Sequence, residues 1–143
     1  MNKRSISAFI LIAYCAFLFN LLVFKFDLFQ IGGLRLKLSA KTGQPNFIPF
    51  KTILPYLLGG SGWFINLVGN IVLFAPIGFL FPYIYRKVTW QKSLVLAIAS
   101  GLVIEVMEVL FHVGIFDIDD IILNGLGVMI GYWLFTRFIK TAS

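Results

Sequence analysis

Five of the six carboxylates in this chain, Glu105, Glu108, Asp117, Asp119 and Asp120, fall between positions 105 and 120. They straddle the joint between two apolar runs, and Asn66, Asn70 and Asn124 interrupt neighbouring apolar runs. A carboxylate in hydrocarbon costs at least a few kcal/mol unless it is paired, hydrated or neutralised. A cluster of this kind therefore marks a site. Acid and amide oxygens can bind the polar head of a membrane amphiphile. Aspartates spaced as Asp117-x-Asp119-Asp120 can hold a divalent cation through oxygen ligands, and Glu105 or Asp120 is placed to act as general acid or base. Paired carboxylates can also relay protons, although the opposite halves of the apolar runs carry no polar path. No nucleophile stands out, and no His/Cys spacing suggests a metal site.

Simpler roles compete at each position. Asn66 and Asn70 can act as interhelical glue, worth about 1 kcal/mol. Asp117 and Asp119 can belong to a solvated loop with a helix N-cap at Asp119. His112 reads as an interfacial residue. Glu105 lies about two turns inside its apolar run, so solvation alone does not account for it.

The elements that must position these groups are membrane-spanning helices. The chain has 143 residues, is 59% hydrophobic and 13% charged, and has a mean hydropathy of +0.94. Soluble domains carry about 25% charged residues. Apolar runs at about 5–24, 63–85, 93–113 and 121–139 each reach the ~20 residues needed to cross a hydrocarbon core. The expected fold is an all-α membrane protein, one domain over 1–143, with four spans and a long extracytoplasmic connector between the first and second. The first run is longer than a signal-peptide core and lacks a small-residue cleavage site, so it reads as a retained helix. In the connector, residues 34–39 alternate with period two, as a short strand or interfacial ribbon does. Ile53–Leu58 is expected as a short interfacial helix leading to an anchoring Trp63.

The net charge of +6 fits Lys and Arg flanking spans and meeting anionic head groups, and nothing indicates nucleic acid. Four spans put both termini on one side, with Lys3, Arg4, Arg86, Lys87, Lys92, Arg137 and Lys140. That excess predicts cytoplasmic termini. Cys15 is alone, so it forms no intrachain disulfide.

With these directions, spans two, three and four place their polar residues at one depth, in the outer half of the membrane. Angle agrees: at 100° per residue Asn66 and Asn70 share a face, as do Gly101, Glu105, Glu108 and His112. Asp120, Asn124, Gly127 and Gly131 share another. Gly127-x-x-x-Gly131 permits close helix approach, either within the bundle or in a homodimer. Pro76 and Gly78 predict a kink in span two below the asparagines.

The chain resembles the VanZ-like family along nearly its whole length. The resemblance rests on residues 46–53 (Asn-Phe-Ile-Pro-Phe-Lys-Thr-Ile), on Asn66 to Pro82, on Ile104-Glu105 within 100–108, on Phe116 to Asp120, and on Asn124 to Gly127 with Gly131-Tyr132. Glu108 stands where the family usually has Gln, no hydroxyl follows Asn124, and no Arg precedes the aspartates. The resemblance implies a bacterial envelope protein, named after an accessory factor in teicoplanin resistance. The acid–amide cluster of Asn66, Asn70, Glu105, Glu108, Asp117, Asp119, Asp120 and Asn124 is itself expected to bind a lipid-linked head group or an amphiphilic glycopeptide. The alternative is a metal-dependent enzyme acting on a lipid phosphate or glycolipid. No cofactor is implied beyond the divalent cation of that alternative.

Overall fold

The computed structural model describes residues 3–23, 43–59, 64–85, 87–112 and 114–139. The period-two stretch at 34–39 and Trp63 lie outside them. The described residues form helices: α1 (Lys3–Val23), α2 (Ile53–Leu57), a π-helical turn (Phe64–Val68), α3 (Gly69–Ile84), α4 (Trp90–Leu110) and α5 (Ile118–Phe138). Four of these helical stretches, Arg4–Leu22, Asn66–Ile84, Trp90–Leu110 and Ile118–Phe138, are long and apolar enough to cross a membrane.

Helix ends follow local chemistry. Thr89 starts α4, its side chain accepting from the Lys92 N–H, so the helix begins three residues before the expected Ser93. Asp117 starts α5, its side chain accepting from the Asp119 N–H at 3.1 Å. A side-chain oxygen at this position satisfies one of the backbone donors that a helix start leaves unpaired. The N-cap is thus Asp117 and not Asp119. α4 stops at Leu110, and His112 lies beyond it, exposed and with φ +56°. It does not continue the face of Glu105 and Glu108.

Small residues set the packing. A Cβ on Gly127 would overlap the Ile71 carbonyl oxygen, one on Gly131 the Ala75 oxygen, and one on Gly78 the Val128 oxygen. The contacts Asn70–Asp120, Ile71–Gly127 and Ala75–Gly131 rise together along both helices, so α3 and α5 run parallel with their backbones in contact. This is the most extensive helix pair in the fold. α4 runs antiparallel to α5, with Gly101 against Ile121 and Ala97 against Gly125. α1 lies on α3 and touches α4. Leu18, Leu22, Phe74, Ile77, Ala97 and Val128 form the buried core. The small-x-x-x-small pair of α5 is thus used inside the monomer, and a second copy seated there would have to displace α3.

α3 is continuous through Pro76 and Pro82. Proline at 76 lacks the N–H that would bond the carbonyl one turn earlier, and at the neighbouring residue the Tyr14 hydroxyl donates to the Leu73 oxygen at 2.7 Å. Just before α3, the turn Phe64–Val68 is π-helical and carries Asn66. Such turns occur often at functional sites.

Candidate functional site

The start of α3, the end of α4 and the start of α5 meet at one end of the bundle, together with residues 43–59 of the connector. Parallel packing of α3 and α5 puts Asn70 in the first turn of one helix within reach of Asp120 in the first turn of the other. The Asn70 amide donates to Asp120 Oδ1 at 3.4 Å. Antiparallel packing of α4 brings Glu105 to the same level. Glu105 is 1% exposed, and its Oε2 accepts from the Asp117 N–H at 2.7 Å. Asn70 of α3 thus meets Asp120 of α5, and Glu105 of α4 meets the backbone of Asp117 at the start of the same helix.

Two of the aspartates differ from expectation. Asp117 and Asp119 are 2% and 0% exposed, so neither sits in a solvated loop. Asp117 Oδ1 accepts from the Asn46 amide at 2.8 Å. Backbone bonds flank that contact: Asn46 N to Phe116 O at 2.8 Å and Ile118 N to Asn46 O at 3.0 Å. Asp119 accepts from the backbone N–H groups of Phe50, Thr52 and Ile53 at 2.5, 2.7 and 3.2 Å, and from the Thr52 hydroxyl at 2.7 Å. A carboxylate buried among several donors meets the requirement that buried charge be paired or hydrogen-bonded. These two side chains fasten the connector to the start of α5.

The remaining predicted residues surround that fastening. Asn66 and Glu108 are half-buried. Glu108 lies against Gly114, whose N–H donates to the Glu108 backbone oxygen at 3.3 Å. Asn124 is 2% exposed, and its side-chain oxygen has no hydrogen-bond partner among the described residues. Most buried polar atoms are paired, so an orphan calls for an explanation. Among the described residues no group of three His, Cys, Asp or Glu side chains is arranged to hold a metal ion. Asp117 and Asp119 both lie at the Thr52 hydroxyl, at 3.4 and 2.7 Å, while Asp120 faces Asn70. A cavity of about 410 Å³ lies at the opposite end of the bundle, lined by Phe81, Tyr85, Lys87, Val88 and Lys92.

Asn46 and Thr52 belong to the cluster and were not singled out from sequence as site residues. The one available signal was their place in the stretch 46–53 that resembles the family. Their partners stand 65 to 71 positions away, beyond any helical or strand periodicity.

A family model described as VanZ/LLP1 matches residues 9–140. Among curated proteins, Protein VanZ of Enterococcus faecium is 25% identical over 75 residues, which cover 52% of this chain and 47% of that protein. The match thus spans about half of that relative's length. No solved structure matches.

Proposed function

This chain belongs to the VanZ/LLP1 family, and from that premise we propose a multi-pass protein of the bacterial cytoplasmic membrane that binds the polar head of an amphiphile. The head belongs to a lipid-linked cell-wall intermediate or to a glycopeptide such as teicoplanin, and binding lowers susceptibility to the antibiotic. The termini face the cytoplasm. Arg4, Lys87, Lys92 and Arg137 gather at the end of the bundle away from the acids, in keeping with the excess of positive charge on cytoplasmic loops.

One observation carries the reading: the Asn124 oxygen is buried and has no partner among the described residues, one turn along α5 from Asp120, which already bridges to Asn70. The group is rich in acceptors and suits a ligand that brings N–H or O–H donors, or positive charge. Asp117 and Asp119 tie the connector to the helix start beside that group and do not themselves meet the ligand. The metal-dependent enzyme has no comparable support, since Asp119 oxygens are already engaged by four donors.

The test uses the full chain in lipid nanodiscs and measures binding of teicoplanin and of a lipid-linked cell-wall intermediate. A hydrogen bond to a charged group is worth about 1.5–3 kcal/mol. The double variant Asn70→Ala, Asp120→Ala is therefore expected to weaken binding about tenfold or more. Asn124→Leu should weaken it as well. Helix content and thermal unfolding should stay close to wild type. Undiminished affinity in a folded triple variant would sink the proposal.

A further inference from the structure

Phe47, Ile48, Phe50, Leu54, Leu57 and Leu58 are 54–79% exposed, all within one short stretch of the connector. A surface facing water rarely leaves so dense an apolar patch open. The segment is prevented from folding inward, because its backbone is held from beneath. Asp119 accepts from Phe50, Thr52 and Ile53, Asp117 accepts from Asn46, and Ile53 is buried against Leu67 and Leu123. Phe50 stands at φ +66°, a region that bulky L-residues rarely adopt. The Asp119 carboxylate beneath it stabilises this turn while the Phe50 ring is 60% exposed.

Position identifies what covers the patch. The clamp joins the connector to the first residues of α5, so the patch lies where membrane-length helices begin and end. Leu110 and Phe111, which close α4 at this end, are 63% and 47% exposed. Phe47 of the patch stacks on Phe116, just before α5, with ring centroids 5.1 Å apart, so the patch adjoins a lipid-length helix. Lys51 is exposed within the patch, and its long stem lets an ammonium reach head groups while the neighbouring side chains sit deeper.

We propose that residues 47–58 form a rigid apolar platform set into the boundary between head groups and acyl chains, with bilayer lipid as its partner. Asp117 and Asp119 hold it there. This inference does not depend on the amphiphile reading above, and its test uses no ligand.

The experiment places a nitrobenzoxadiazole label on Leu58→Cys in a Cys15→Ser background. The full chain is reconstituted in phosphatidylcholine–phosphatidylglycerol vesicles. Quenching by lipids brominated near the head-group end of the chain is compared with quenching by aqueous iodide, and a Leu110→Cys label serves as reference. The expected result is strong bromolipid quenching and protection from iodide at both positions. Free quenching by iodide at Leu58 overturns the proposal. So does protection from both quenchers, which crosslinking would trace to a second copy. Asp119→Ala should lose the bromolipid quenching while the helices persist. Thr52→Val, which removes a single donor, is the milder variant should that protein fail to fold. Unchanged quenching in folded variants of both kinds overturns the role given to the clamp.

Discussion

Replacing Gly131 by alanine should break the contact between α3 and α5 and leave little folded protein. A Cβ at this position would overlap the Ala75 carbonyl oxygen and lie 2.9 Å from Ala75 C and from Phe79 N. The obstructing atoms are backbone, so no rotamer change relieves the overlap. The two helices must separate, and the core residues Phe74, Ile77 and Val128 lose contact with one another. Overpacking a close-packed interior costs about 1–3 kcal/mol, occasionally more. Backbone against backbone belongs at the upper end. Gly78→Ala, whose added carbon would overlap the Val128 oxygen, should behave in the same way. Gly125→Ala supplies the control. Its Cβ would stand 3.7 Å from the Ala97 Cβ, an ordinary contact, and alanine is favoured over glycine within a helix. Thermal unfolding and size-exclusion profiles in detergent check the series. A Gly131→Ala protein that melts with wild type would refute the packing argument.

These glycines also show how far a sequence can be read. The spacing of Gly127 and Gly131 announces that a helix can approach closely, but it does not name the helix. Nothing local distinguishes α3 of the same chain from α5 of another. Length and hydropathy suffice for the four spans, because crossing ~30 Å of hydrocarbon imposes a minimum on apolar runs. The boundaries moved by about a turn at Trp90 and Ile118, since Thr89 and Asp117 cap earlier than the apolar runs begin. The meeting of Asn70 with Asp120, and of the α4 end bearing Glu105 with the start of α5, was legible from depth and angle, two quantities that helix geometry fixes. The employment of Asp117 and Asp119 was not. Their donors come from the backbone at 50–53 and from Asn46, and backbone groups leave no mark in a residue pattern. Thr52 shows the same blindness from the other side: in sequence it is only a hydroxyl before a short helix, while in the fold it donates to Asp119 at 2.7 Å.

Glu105 is the position where structural and chemical roles can be separated by one atom. Its Oε2 accepts from the Asp117 N–H in a buried setting. Glu105→Leu removes the acceptor and strands that donor, a change worth about 1–3 kcal/mol of stability. The Asp117 backbone would then be free to shift, and with it the start of α5 and the contact to Asn46. Glu105→Gln keeps an acceptor of nearly the same shape and gives up only the negative charge. The expected pattern is a marked fall in melting temperature for Glu105→Leu and a small change for Glu105→Gln. Binding of teicoplanin by the folded Gln variant then discriminates. Retained affinity makes Glu105 a positioning residue that acts through Asp117, and lost affinity in a stable protein means that the charge itself meets the ligand. The geometry favours the first outcome, because Oε2 faces backbone of its own chain. A Gln variant as unstable as the Leu variant would mean that the fold depends on the carboxylate charge, and the hydrogen-bond account of this end of the bundle would fail.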